Sequence, residues 1–120
     1  MIFRPQIKKI DMTIQDLIDS GIFEVVNAGE DTDRVIQDVF CCDLLSIAMS
    51  KGVEGAAWVT VMGNINTLAV MSLTDMCCIV LAEGVKMDEV GLAKARSQGF
   101  TILRTEGSIF HAALKIKDRL

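Results

Sequence analysis

Four cysteines, set as the adjacent pairs Cys41-Cys42 and Cys77-Cys78, are the side chains of this sequence most suited to redox or soft-metal chemistry. Neighbours on a strand point to opposite faces, so an adjacent pair does not turn both sulfurs to one metal as a Cys-x-x-Cys loop does. Both pairs lie in apolar stretches, and the expectation is four reduced, buried thiols packed as small apolar residues. A metal or iron–sulfur centre taking one cysteine from each pair, or a disulfide, is the rival expectation. The single histidine, His111, falls between Phe110 and Ala112 in a helical stretch rather than beside a loop serine or cysteine. A nucleophile would then lack its general base, and His111 is expected to be a surface or packing residue. Asp31, Asp33, Asp38 and Asp43 could offer oxygens to magnesium, but they are spaced as loop and cap residues are, and no metal or other cofactor is assigned. No Gly-x-x-x-x-Gly-Lys-Ser/Thr loop and no Gly-x-Gly-x-x-Gly occurs, so neither ATP hydrolysis nor a dinucleotide enzyme is supported.

The polar residues left to consider sit between short apolar runs and helix-like stretches, at a period of roughly twenty residues from position 35 onward. Val39 to Cys42 reads as a strand, Asp43 as the cap of a helix carrying Leu44, Leu45, Ile47 and Ala48, and Gly52 as its end. Ala56 to Met62 is the next strand, followed by a helix capped at Asn64 or Asn66 with Ile65, Leu68, Ala69 and Leu73 as its buried stripe. Cys77 to Leu81 is apolar without alternation, as a strand covered on both faces must be, and Glu83-Gly84 closes it. Asp88 and Glu89 suit the start of a helix that runs toward Arg96 and stops at Gly99. Phe100 to Leu103 is the last strand, and Ser108 caps a helix with Ile109, Ala112, Ala113 and Ile116 on one face. Near the start, Thr13 caps a short helix over Ile14 to Ile18, Phe23 to Val26 is an additional strand, and residues 1–10 read ambiguously.

Four β-α units of this kind predict a three-layer α/β/α fold with a mostly parallel sheet of four to five strands. In such a sheet the loops beyond the strands' carboxyl ends gather on one rim, where helix N-termini present backbone N–H groups. The candidate ligand-binding residues are therefore Asp43, Gly63, Asn64, Asn66, Thr67, Glu83, Gly84, Arg104, Thr105, Gly107 and Ser108. Glycines let backbone approach a ligand, Asn and Ser give neutral hydrogen bonds, and Arg104 could pair with an anion. The alternative for each loop is ordinary helix capping.

Composition bounds the rest. At 120 residues the chain can close one core and is expected to be a single domain over residues 1–120. An apolar fraction of 51% excludes a disordered chain. Sixteen acidic against twelve basic residues, net charge -4, argue against nucleic acid as a partner. The stretch from Gly55 to Ala82 has Asp75 as its only charge, but Gly63-Asn64-Ile65-Asn66-Thr67 divides it, so a membrane span is not expected. Charges from Arg4 to Asp19 break any signal-like run, which predicts a cytoplasmic protein.

The order of these pieces resembles the DRTGG domain family, which is related to the N-terminal regulatory domain of HPr kinase/phosphorylase. The residues that carry the resemblance are Met12 to Ile18, Phe23 to Gly29, Asp33-Arg34, Asp43-Leu44-Leu45-Ser46, Trp58-Val59-Thr60, Asn66, Ala69-Val70, Ile79-Val80-Leu81 and Ile102-Leu103. Thr-Gly-Gly does not follow Asp33-Arg34, and Asn64 stands where small members often carry a histidine. The resemblance implies a non-catalytic regulatory domain without the kinase's phosphate loop. It also implies a companion such as a redox or metabolic enzyme as protein partner.

These readings converge on a regulatory or interaction protein that binds a small anionic or nucleotide-like ligand at the rim. A short chain that is half apolar predicts a homodimer through an apolar helix or sheet-edge surface. The alternative function is a redox or metal/iron–sulfur accessory protein using the paired cysteines.

Overall fold

A computed structural model describes residues 11–120; the ambiguous stretch 1–10 lies outside the described residues. Helix α1 (Ile14–Asp19) starts where the sequence says it should, because Thr13 and Asp16 close a capping box. Thr13 Oγ1 accepts the Asp16 N–H at 3.1 Å, and the Asp16 carboxylate accepts the Thr13 N–H at 3.0 Å. Strand β1 (Glu24–Asn27) follows, and then four β-α units: β2 (Asp38–Cys41) with α2 (Leu45–Lys51), β3 (Ala56–Thr60) with α3 (Ile65–Thr74), β4 (Cys78–Leu81) with α4 (Glu89–Gln98), and β5 (Ile102–Arg104) with α5 (Ile109–Lys117).

The five strands form one sheet in the order β1-β5-β4-β3-β2. β2 to β5 are mutually parallel, and β1 joins β5 antiparallel, with a register irregularity between Val25 and Asn27. Alternation along the central strands divides the core into two layers. Ala57, Val59, Cys78, Val80 and Leu103 face α1 and α5, packing on Ile14, Leu17, Ala112 and Ile116. Ala56, Trp58, Ile79, Leu81 and Ile102 face α2, α3 and α4, packing on Ala48, Leu68, Met71 and Ala95. The fold is the expected three-layer α/β/α sandwich, and β3 and β4 are buried along their whole length.

Three local expectations need correction. Asp43 does not cap α2: Leu44 occupies the N-cap without a side-chain bond, and Asp43 reaches across to β3 instead. In α3 the buried residues are Thr67, Leu68, Val70 and Met71, while Ala69 is exposed and Leu73 is 72% exposed. Thr67 can be buried because its hydroxyl donates to the Met62 carbonyl at 2.7 Å, so the inward arc includes a polar residue that an apolar count skips. On α2, Leu45 and Ala48 face inward, whereas Leu44 and Ile47 are exposed.

Candidate functional site

The parallel strands exit on one rim, and their loops are tied to one another by backbone hydrogen bonds. Glu83 and Gly84 both have positive φ, 58° and 71°, and Val85 N–H donates to the Ala82 carbonyl at 3.1 Å, giving a tight turn of the primed type after β4. This turn docks on the loop after β5. Glu83 N–H donates to the Gly107 carbonyl at 2.8 Å, and Gly84 N–H to the Thr105 carbonyl at 2.9 Å. A Cβ at Gly84 would strike the Glu106 carboxylate. On the β3 side, the Gly63 carbonyl accepts the Asp88 N–H at 2.9 Å, and a Cβ at Gly63 would collide with the Lys86 carbonyl. The structure thus brings Gly63, Glu83, Gly84, Thr105 and Gly107 into one bonded rim.

Arg104 anchors that rim. Its Nε–H donates to the Val85 carbonyl at 3.1 Å, and Nη2–H donates to the Gly84 carbonyl at 2.8 Å and Glu106 Oε1 at 2.9 Å. Nη1–H donates to Glu24 Oε2 at 2.7 Å. The Glu24 hydrogen bond first, and the Glu106 charge after it, raise the guanidinium's hold on its proton. Its donors are committed to β1 and to the two turns, so any anion arriving here meets an arginine already paired with carboxylates.

The remaining residues chosen from sequence have local partners. Asp43 Oδ1 accepts the Thr60 hydroxyl at 2.7 Å and the Val61 N–H at 2.9 Å, joining the ends of β2 and β3. Asn64 Oδ1 accepts the Asn66 N–H at 2.9 Å and the Thr67 N–H at 3.4 Å as the cap of α3. Ser108 caps α5, accepting the His111 N–H at 3.1 Å, and its Oγ also lies 2.9 Å from His111 Nδ1. His111 is therefore beside a loop serine, contrary to expectation, because the third helical residue folds back over the N-cap. The His111 side chain is exposed, and among the described residues no carboxylate is bonded to its ring. A nucleophile–base–orienter relay is incomplete in this pair.

Asn66 belongs to a different feature, a groove of about 500 Å³ between α3 and α4. Its walls include Leu68, Leu73 and Phe100, and its polar groups are Asn66, Ser72, Lys94 and Gln98. That volume is in the range of small-molecule pockets. Lys94 and Gln98, which sequence reasoning did not single out, lie one turn apart on α4, and the outward turn of Ala69 and Leu73 opens the groove beside them.

The cysteines divide by environment. Cys41 is exposed and Cys42 half-buried, so the expectation of four buried thiols holds only for Cys77 and Cys78. Register places Cys78 opposite Ala57 and Val39, two strands across and two residues along from Cys41. The Cα atoms of Cys41 and Cys78 are about 12 Å apart by strand spacing and rise, too far for a single zinc ion to draw a ligand from each pair. Cys77 precedes β4, and its sulfur lies 3.9 Å from that of Cys78, against the expectation that adjacent sulfurs diverge. The hydrogen bond with Cys78, and the nearby Arg34 charge, draw the Cys77 thiol down, while the same bond and full burial push Cys78 well up. At Cys41, desolvation and then the Asp43 charge push the thiol up. Among the described residues no group of three metal-ligating side chains occurs, and no helix is long and apolar enough to cross a membrane.

No family model matches the sequence, and no curated protein matches it. Among solved structures, the fold is similar to that of the CBS and DRTGG domains of the regulatory region of Clostridium perfringens pyrophosphatase, solved in complex with its activator, diadenosine tetraphosphate. The TM-score is 0.71 at 15% identity, and the match covers 90% of this chain. It covers 47% of the other, so this chain spans about half the length of that structure. The fold is DRTGG-like, in agreement with the order of residues.

Proposed function

We propose that this chain is a non-catalytic regulatory domain that senses a small anionic or nucleotide-like metabolite at the strand-exit rim and the adjoining α3–α4 groove, and that it acts as a homodimer. The observation that carries the reading is the rim itself, in which turns from β3, β4 and β5 are locked together by backbone bonds, with the groove opening beside Asn66. The groove combines an aromatic wall at Phe100, amides at Asn66 and Gln98 and a cation at Lys94, a set that matches a base and a phosphate. The nucleotide activator bound by the structurally similar regulatory region supports the same class of ligand.

Homodimerisation is supported by apolar side chains left uncovered on a short chain. Phe110 and Leu114, one turn apart on α5, are 68% and 43% exposed and share a depression of about 260 Å³ with Val39 and Cys41 at the β2 edge. Light scattering at tens of micromolar should return twice the chain mass; a strict monomer removes this part of the reading. The same surface would also serve a partner enzyme.

The ligand is tested by thermal shift with ATP, ADP, diadenosine tetraphosphate and inorganic phosphate. A ligand at a hundred times its Kd adds about 2.7 kcal/mol to stability and raises Tm by several degrees. Asn66→Ala and Lys94→Ala should reduce that rise while leaving the ligand-free Tm in place. No shift with any of the four would refute nucleotide sensing, and turnover of ATP by the purified chain would refute a non-catalytic role.

A further inference from the structure

We propose that Cys77 and Cys78 form a vicinal dithiol that hydrogen peroxide converts to an intrachain disulfide. Three observations on this chain point to it, none of which enters the ligand-sensing reading. The two sulfurs are 3.9 Å apart and hydrogen-bonded. Of the two, Cys77 lines a cavity of about 150 Å³ whose polar lining includes Arg34, Asp31 and Asp75, while Cys78 is wholly buried. With roughly 30 Å³ for a water molecule, that space admits peroxide and excludes a tripeptide disulfide. The hydrogen bond with Cys78 and, after it, the Arg34 guanidinium on the cavity wall draw the Cys77 thiol down against desolvation and the Asp31 charge, so the sulfur that the cavity reaches is also the better nucleophile. Cys41, though exposed, has the opposite environment beside Asp43.

The chemistry balances without a further reactant. The Cys77 thiolate attacks one oxygen of hydrogen peroxide, the O–O bond breaks, and hydroxide leaves as Cys77 becomes the sulfenic acid. The Cys78 sulfur then attacks the Cys77 sulfur; the S–O bond breaks, and the departing hydroxide takes the Cys78 proton. Two thiols and one peroxide give one disulfide and two waters. Consecutive Cα atoms across a trans peptide are about 3.8 Å apart, shorter than the usual disulfide range, so the ring is strained and open to reduction by ordinary thiols. Closing it pulls on the start of β4, where the Cys77 N–H donates to the Ala56 carbonyl at 2.8 Å.

The test uses the full reduced chain at neutral pH, treated with a small excess of hydrogen peroxide, alkylated and weighed intact. The expected product is about 2 Da lighter before alkylation, has two fewer alkylatable thiols, maps to the Cys77-Cys78 peptide and reverts with dithiothreitol. Cys41→Ser with Cys42→Ser should leave this unchanged, and Cys77→Ser should abolish it. Cys78→Ser should halt at a sulfenic acid, about 16 Da heavier and trapped by dimedone. Arg34→Gln should slow the reaction roughly tenfold. Circular dichroism confirms that each variant is folded. Oxidation of Cys41 first with Cys77 and Cys78 still alkylatable, a disulfide between chains, or sulfinic acid at Cys77 with Cys78 intact would each overturn the proposal.

Discussion

Arg34 fastens the end of α3 to the segment that leads into β2: its Nη1–H donates to Asp75 Oδ1 at 3.0 Å and its Nη2–H to the Asp75 carbonyl at 2.8 Å. Asp75 is the left-handed C-cap of α3, at φ 57°, and its carbonyl also accepts the Gly55 N–H at 2.9 Å. One arginine thereby holds a helix end, a turn before β3 and the wall of the Cys77 cavity.

Arg34→Ala should lower stability by about 1–2 kcal/mol, since two charge-assisted bonds are lost from a partly covered position. Urea denaturation followed by circular dichroism measures it. At Asp75, Asn should be tolerated better than Ala by roughly 1 kcal/mol, because Asn accepts the left-handed conformation. Equal losses for the two substitutions would mean that the cap geometry is immaterial.

Trp58 is the only tryptophan, fully buried, and its Nε1–H donates to the Cys42 carbonyl at 2.9 Å. Trp58→Phe leaves that carbonyl without its indole donor and leaves a void beside Phe40, so a loss of about 2–3 kcal/mol is expected in the denaturation midpoint. The native chain's fluorescence should be blue-shifted and should move to the red only on unfolding.

The Asp43–Thr60 bond predicts a coupling rather than two separate losses. Asp43→Ala and Thr60→Val should each cost about 1–2 kcal/mol, and the double variant should cost about 1 kcal/mol less than their sum. Strict additivity in a double-mutant cycle would show that the bond contributes nothing. Thr60 is fully buried, so its hydroxyl has no solvent to fall back on.

Asp38 gives the pH dependence its sign. The Val39 N–H, at 2.8 Å, and then Lys117 Nζ, at 3.1 Å, stabilise its carboxylate and depress its pKa in the fold below the ordinary 3.8. The contribution is therefore present above pH 3.8 and is lost as pH falls through the lower folded value. The pair is largely exposed, so the effect is at most about 0.5–1 kcal/mol. Asp38→Asn should narrow the difference in Tm between pH 6 and pH 3; an unchanged difference would exclude Asp38 as a contributor.

The sheet was legible in the sequence because its signals are local. Apolar runs such as Cys77 to Leu81 mark strands buried on both faces, and Thr13, Asn64, Asp88 and Ser108 mark helix starts that the structure retains. Asp43 misled because a carboxylate before a helix reads as a cap, whereas the buried Thr60 at the end of the adjacent strand competes for it and wins. The rotation of α3 was hidden because Thr67 is polar yet buried, and that rotation is what opens the groove at Lys94 and Phe100. The Arg104 network joins residues eighty positions apart, at Glu24, and no local pattern announces it.

Strand order carries one last consequence, for how the chain assembles. β2, β3, β4 and β5 lie side by side in the order in which they are synthesised, and each is joined to the next through a helix on the same face of the sheet. Each unit can add to the one before it with only a short loop to close, which favours rapid, stepwise folding. The contacts of greatest sequence separation, β1 on β5 and α5 against β2, can form only after this growth, so stopped-flow experiments should find the two margins of the sheet consolidating last.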